Sequence, residues 1–179
     1  MIVNEISTKN LKLDRSNPVR SGAIVYTRVK GKTYFCFGVD TESGNLTDFG
    51  GGVTKYETVV QGGLRELEEE SQGVFGPIKE KDICDTMSFY TYNMAIMFIP
   101  LDVNLNKTVK DFKNKLKNTG SAEVCNIVWL NIDDLLNSIE GNGKKLYVRV
   151  RRLLSHVIPT LKDLWIWKIN KYNLIYLFL

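Results

Sequence analysis

One short segment, residues 57–72, concentrates glutamate to an unusual degree. Five glutamates fall within fourteen positions, and three of them are consecutive at Glu68, Glu69 and Glu70. The spacing of the apolar residues predicts a helix over this segment, with Gly73 as its stop. Because like charges three or four residues apart repel by roughly 0.2–0.5 kcal/mol per pair, a helix of this composition suggests that the carboxylates bind something.

The predicted helix separates its acidic face from its core-facing side. At 100° per residue, three carboxylates share one face: Glu66, Glu69 and Glu70. Glu68 points away, and the core-facing stripe is formed by Val60, Leu64 and Leu67. Gly62 and Gly63, which each cost about 1 kcal/mol relative to alanine in a helix, lie on the acidic side and would leave room for a ligand. A cation between the carboxylates would remove their repulsion; a solvated surface face would explain the glutamates alone.

The residues around the helix have a specific spacing. Gly51 is followed by five residues and Glu57, then by seven residues and the run Arg65-Glu66-Leu67-x-Glu69-Glu70. This order resembles the Nudix box, GX5EX7REUXEEXGU, where U is a large aliphatic residue, and its six fixed charged or glycine positions match. Gln72 stands where the box has its last glycine, and Phe49 where many members have proline. The segments RSGAIVY and VWLNIDDL extend the resemblance over roughly residues 20–155, and the glycine-rich run is also similar to Nudix proteins of large DNA viruses.

The resemblance implies a fold as well as a motif. It implies an α/β protein, a Nudix-type α/β/α sandwich with a mixed central sheet, as a single domain over residues 1–179, a usual domain length. The periodicity predicts strands at 21–29, 32–40 and 124–130 and a long strand within 85–103. Helices are predicted at 108–120, 132–139 and 144–158, and a glycine-rich loop at 41–52. The helix at 108–120 would bury Val109, Phe112 and Leu116.

Nudix enzymes hydrolyse a nucleoside diphosphate linked to another group, so the resemblance implies a metal-dependent pyrophosphohydrolase. By the same resemblance the metal ligands are Glu66, Glu69, Glu70 and the carbonyl of Gly50. Oxygen donors suit Mg²⁺, with Mn²⁺ as a substitute. Arg65 would pair with a neighbouring glutamate, and Gly51 and Glu57 would have structural roles in the motif. An ordinary acid at a helix start is the other interpretation of Glu57.

Two glutamates are candidates for the general base. Some family members use a glutamate in a loop before the tryptophan-containing strand, and Glu123, six residues before Trp129, occupies such a place. The alternative is Glu69 within the box. An ordinary loop acid is the other interpretation of Glu123.

The charges leave several substrates open. Residues 1–90 have 11 basic and 13 acidic side chains, and residues 91–179 have 13 and 7, so the second half is basic. Lys110, Lys113 and Lys117 could bind a polyphosphate or an RNA backbone, or form a solvated face. Tyr90 and Tyr92, on one face of the strand predicted there, could stack on a base or pack in the sheet. A nucleotide or dinucleoside polyphosphate is the first hypothesis, and mRNA decapping or diphosphoinositol-polyphosphate hydrolysis the alternative. A non-catalytic module that binds a ligand or RNA is the alternative of another class.

Composition argues against several other classes. Three widely separated cysteines without a CxxC pair favour reduced thiols in the cytoplasm over a zinc site or a secreted scaffold. The first residues lack an apolar leader, and a single histidine, His156, argues against a Ser-His-Asp triad. The apolar extension 164–179 is interrupted by lysines and too short to span a membrane. It would pack on its own domain or form a homodimer contact.

Overall fold

One mixed β-sheet forms the centre of the protein. The computed structural model describes residues 2–13, 19–117 and 122–157. Its strands are β1 (Asn4–Ser7), β2 (Arg20–Val29), β3 (Lys32–Asp40), β4 (Leu46–Thr47), β5 (Phe49–Gly52), β6 (Met87–Tyr90), β7 (Met94–Pro100) and β8 (Val124–Asn131). Its helices are α1 (Val59–Glu70), α2 (Leu105–Leu116), α3 (Ile132–Glu140) and α4 (148–157).

The sheet order is β1-β6-β7-β2-β3-β4, with β5 paired to β2 and β8 paired to β3. The β2–β7 pair is parallel and joins Arg20–Tyr26 to Met94–Pro100, whereas the other pairs between these strands are antiparallel. At the hairpin between β2 and β3, Lys30 and Gly31 have φ of 49° and 78°, as a tight two-residue turn requires. The sheet is therefore mixed, as predicted.

β2 and β3 separate part-way along their length. They pair only from Val29 back to Val25, and beyond that point β4 pairs with β3 while β5 pairs with β2. The segment 46–52 thus fills the gap between them, with Asp48 at the junction of β4 and β5. The prediction of a loop throughout 41–52 is wrong for these residues, because two separating strands supply backbone partners that local sequence does not reveal.

Helices cover both faces of the sheet. On one face, α1 packs on β2, β5 and β7, α2 packs on β8, and the two helices bury Val60, Leu67 and Phe112. On the other face, α3 and α4 bury Leu135 and Leu153 against β2, β3 and β7. The predicted α/β fold, a mixed sheet between two layers of helices, is confirmed. In α2 the predicted stripe is also present, since Val109 and Leu116 pack beside the buried Phe112.

Other predicted boundaries differ from the structure. The segment 85–103 contains two strands, β6 and β7, instead of one long strand, and a turn at 91–93 joins them. Tyr90 therefore packs against the core at the end of β6, whereas Tyr92 is 74% exposed in the turn, and the two do not share a strand face. α2 begins at Leu105 because Asn104 caps it, three residues before the predicted start. The apolar extension 164–179 lies outside the described residues.

Two further features concern the cysteines and the possibility of a membrane span. Cys36, Cys84 and Cys125 are free thiols. Within the described ranges, every helix is too short or too polar to cross a lipid bilayer.

Candidate active site

Helix α1 carries most of the motif, and local signals set its bounds. The hydroxyl of Thr58 accepts a hydrogen bond from the backbone N–H of Gln61 at 3.1 Å, and the Gln61 side chain accepts one from the N–H of Thr58 at 2.9 Å. This reciprocal cap starts the helix at Val59, so Glu57 precedes the helix instead of opening it. The helix ends after Glu70, and Gln72 and Gly73 follow with φ of 56° and 60°.

The two glycines of α1 bring the helix close to the sheet. A Cβ on Gly63 would lie 2.5 Å from Met97 Cε and 2.6 Å from Ser21 Oγ, so any larger residue would require these side chains to shift. A Cβ on Gly62 would meet Val53 and the carboxylate of Glu57 at just over 3 Å. The prediction that these residues leave space for a ligand is wrong for Gly63, because β2 and β7 occupy that space.

Arg65 connects the parts of the motif. Its guanidinium donates to both carboxylate oxygens of Glu57, at 2.9 and 3.2 Å, and to the carbonyl oxygen of Gly52 at 2.8 Å. It also donates to Glu66 Oε1 at 2.7 Å and Glu69 Oε2 at 3.0 Å. These bonds lower the pKa of Glu57 to about 2, chiefly through the side-chain hydrogen bond from Arg65, and raise the pKa of Arg65. Arg65 thereby fixes α1 to the end of β5 and to the preceding turn.

Two of the glutamates lie against β5, and a third lies towards solvent. The Glu66 side chain is only 14% exposed, and its carboxylate lies where a Cβ on Gly51 would stand, with Cδ 2.5 Å away. Glu70 Oε2 accepts a hydrogen bond from the backbone N–H of Gly50 at 2.7 Å. Burial raises the pKa of Glu70 to about 8. Glu69 is 60% exposed, and Glu68 is exposed on a different side of the helix, as its phase predicts.

A buried ion pair behind this site was not predicted from the sequence. The Asp48 side chain is fully buried and binds Arg20 through two hydrogen bonds, of 2.6 and 3.0 Å. Arg20 Nη2 also donates to the carbonyl oxygen of Gly50 at 2.7 Å, the atom expected to ligate a metal. Arg20 and Asp48 are 28 residues apart, so only the β2–β5 pairing brings them together. The sequence signal for this pair was weak: Arg20 begins a strand, and Asp48 lies two residues before the glycine run.

The remaining predicted residues lie outside this group of contacts. Glu123 is exposed just before β8, where its carbonyl accepts a hydrogen bond from the N–H of Thr41 at 2.8 Å. Lys110 and Lys113 are exposed on α2, and Lys117 is exposed just after its last residue. Their neighbour Lys115 donates to the carbonyl oxygens of Gln72 and Gly73, at 3.0 and 3.1 Å, just beyond the end of α1. α2 is thus attached to the motif helix, although its exposed lysines are not part of the carboxylate group.

The donor chemistry of the site suits a hard divalent cation. All candidate ligands are oxygens, and Asp48, Glu66 and Glu70 all lie near the guanidinium of Arg20. Across the described residues, no three or more His, Cys, Asp or Glu side chains are arranged to hold a metal ion. The guanidinium of Arg65 binds Glu66 and Glu69 and so contacts oxygens that a metal would use.

Comparison with known proteins finds solved structures that resemble this chain over most of its length. The chain matches no protein-family model and no curated protein sequence. A C. elegans Ap4A hydrolase has 16% sequence identity and a TM-score of 0.49, over 82% of this chain and 99% of that one. The M. smegmatis Nudix hydrolase RenU has 12% identity and a TM-score of 0.48, over 82% and 84%. The NUDIX domain of Shewanella oneidensis NrtR, complexed with ADP ribose, has 13% identity and a TM-score of 0.48, over 86% and 88%.

Proposed function

We propose that this chain is a metal-dependent pyrophosphohydrolase that cleaves a nucleoside diphosphate linked to another group. The observation that carries the proposal is the set of contacts made by Arg65. A motif in the sequence is only a spacing, but here Arg65 connects Glu57, Glu66, Glu69 and the carbonyl of Gly52. Glutamates on the solvated face of a surface helix would extend into water, whereas the side chains of Glu57 and Glu66 are only 15% and 14% exposed. Their burial supports a carboxylate site that the fold holds in place.

Glu66, Glu69 and Glu70 would hold the cation, which we propose to be Mg²⁺ with Mn²⁺ as a substitute. A bound divalent ion neutralises phosphate charge and lowers the pKa of a coordinated water. Burial favours the neutral form of Glu70, and a nearby cation would favour its ionised form. Arg65 would keep Glu66 and Glu69 oriented, sharing their oxygens with the cation. The Gly50 carbonyl accepts from Arg20 but retains a second lone pair for a ligand.

Two exposed glutamates are the candidates for the general base. The 60% exposed carboxylate of Glu69 is open to a water molecule and is one candidate for the general base. Glu123 is the other candidate, because it is exposed just before β8. We propose a nucleotide or a dinucleoside polyphosphate as the substrate, since a compact anhydride needs no extended protein surface beyond the carboxylate group.

The proposal is tested with a substrate panel and three single variants. Purified protein is assayed with Mg²⁺ on nucleoside diphosphate derivatives, dinucleoside polyphosphates, diphosphoinositol phosphates and capped RNA. Glu69→Gln and Glu70→Gln should nearly abolish turnover while the thermal midpoint changes little, because both side chains face the site. Glu68→Gln is the matched control and should keep wild-type activity, since Glu68 lies on another side of α1. Equal losses from all three variants would refute the assignment, and a panel without any metal-dependent product would favour a binding module.

Capped RNA is the second candidate substrate. The observation in its favour is a row of exposed lysines along α2 and just after its end: Lys110, Lys113 and Lys117. Lys115 attaches this helix to the end of α1, so an RNA backbone crossing α2 would lie near the motif helix. Cleavage of capped RNA in preference to the free cap dinucleotide would favour this candidate.

A further inference from the structure

The buried pair of Arg20 and Asp48 does more than neutralise two charges. Asp48 is fully buried and Arg20 is 17% exposed, so both lose hydration on folding. A buried ion pair is weak evidence for stability, because apolar residues of similar volume often replace it without loss. What this pair supplies is geometry: a two-point bond that fixes the guanidinium plane.

The fixed guanidinium holds Gly50 from one side while Glu70 holds it from the other. Arg20 Nη2 donates to the Gly50 carbonyl oxygen at 2.7 Å, and the Gly50 N–H donates to Glu70 Oε2 at 2.7 Å. Both peptide groups that flank Gly50 are therefore restrained by side chains. Gly50 also lies tightly against β2, since a Cβ there would be 2.5 Å from Gly22 Cα. A small rotation of this backbone would move the donor away from Glu70.

Asp48 also controls what Arg20 can bind. Burial lowers the pKa of Arg20, but the neighbouring carboxylates raise it overall, Asp48 most and then Glu70 and Glu66. Both terminal nitrogens of the guanidinium are directed at Asp48 instead. Without that carboxylate, Arg20 would be free to pair with Glu70 and compete with any cation for it.

We infer that Arg20, held in place by Asp48, is a positioning residue that sets the Glu70 carboxylate through Gly50. The consequence for metal binding rests on the proposed function, whereas the restraint of Gly50 does not. Arg20→Lys retains the charge but cannot form the two-point bond, and Arg20→Gln with Asp48→Asn removes both buried charges while keeping a polar side chain at each position. Arg28→Gln, exposed towards the other end of β2, is the control for loss of an arginine from the same strand.

The experiment measures three quantities for each protein: amide hydrogen exchange of Gly50 by NMR, Mn²⁺ affinity by electron paramagnetic resonance, and the urea midpoint. In Arg20→Lys and in the double variant, Gly50 exchange should rise at least about tenfold above that of the other β2 and β5 amides. Mn²⁺ affinity should fall about 10- to 100-fold, as for residues that orient metal ligands. The double variant should keep a urea midpoint near wild type, and Arg28→Gln should change none of the three.

The inference is overturned if Gly50 exchange and Mn²⁺ affinity both stay within twofold of wild type in Arg20→Lys. It is equally overturned if all β2 and β5 amides accelerate together with a lower urea midpoint, since Arg20 would then act only on stability. If the wild type itself binds no Mn²⁺, the proposed function fails, and Gly50 exchange alone decides whether Arg20 positions Glu70.

Discussion

Replacing Gly51 by alanine should damage the site while leaving the fold intact. The new Cβ would lie 2.5 Å from Glu66 Cδ and Oε1, whereas ordinary contacts begin at 3.4 Å, so the carboxylate must retreat by about 0.9 Å. Gly51 does not have a positive φ, so alanine adds no backbone strain. Because the obstructing group is the end of a flexible side chain, the free energy of unfolding should fall by less than about 1 kcal/mol.

The effect on chemistry should be much larger. A misplacement of about 1 Å can cost about 100-fold in rate, so kcat/KM of Gly51→Ala should fall by about that factor, and Mn²⁺ affinity should fall as well. Gly52→Ala is the matched control, because a Cβ at Gly52 meets nothing within 4 Å. The bond from Arg65 to the Gly52 carbonyl involves only backbone and would persist. Gly52→Ala should therefore keep kcat/KM within about threefold of wild type.

The assay measures kcat/KM on the best substrate of the panel, Mn²⁺ affinity by paramagnetic resonance, and the urea midpoint for both variants. The reasoning is refuted if Gly51→Ala keeps wild-type kcat/KM and Mn²⁺ affinity. It is also refuted if the two alanine variants lose activity to the same extent, since the clash with Glu66 would then be irrelevant.

Three other substitutions test separate features. Glu57→Gln should lower the free energy of unfolding by about 1 kcal/mol at pH 7, allowing for the partial exposure of Arg65. A carboxyl whose pKa falls from 4.5 to about 2 on folding stabilises the protein fully above pH 4.5 and loses that effect as the pH falls towards 2. The difference in urea midpoint between wild type and Glu57→Gln should therefore vanish over that range. A difference that stays constant with pH would contradict this explanation. Gln72→Gly should raise the free energy of unfolding by up to about 1 kcal/mol, because Gln72 has a φ of 56°, and a lower urea midpoint would show that its side-chain contacts outweigh backbone strain. Neutralising Lys110, Lys113 and Lys117 together should affect the cleavage of capped RNA and of the free cap dinucleotide alike, as kcat/KM at several salt concentrations would show. A loss confined to RNA, with a shallower salt slope, would favour an RNA substrate.

Local periodicity made the motif helix predictable. The burial of Val60 and Leu67 and the exposure of Glu68 follow from 3.6 residues per turn, and the structure has the predicted phase. The bounds of β3 also agree with the prediction, because a dense apolar run ends at turn-forming residues on both sides. These features depend on neighbours in sequence, which is why the sequence could predict them.

Features set by distant partners were not predictable. The segment 46–52 is strand because β2 and β3 diverge around it, and its glycines and aspartate by themselves favour a loop. A glycine at position 63 is unfavourable for a helix, and it is explained by the close approach of Met97, 34 residues later in the sequence. The pair of Arg20 and Asp48 likewise depends on strand register. A motif indicates which residues matter, whereas the sheet determines what each of them touches.

The parallel pairing of β2 with β7 limits how the motif could be transplanted. Every residue of the box precedes β6, so a fragment ending at residue 86 would contain the whole motif. Such a fragment would nevertheless lack β7, which pairs with Arg20–Tyr26 and contributes Met97 to the surface beneath α1. The edge of β2 would be left open, and unpaired strand edges recruit other chains. The motif is therefore contiguous in sequence but does not form an independent unit: grafting it into another scaffold, or rebuilding it from two halves, requires β7 to be supplied as well.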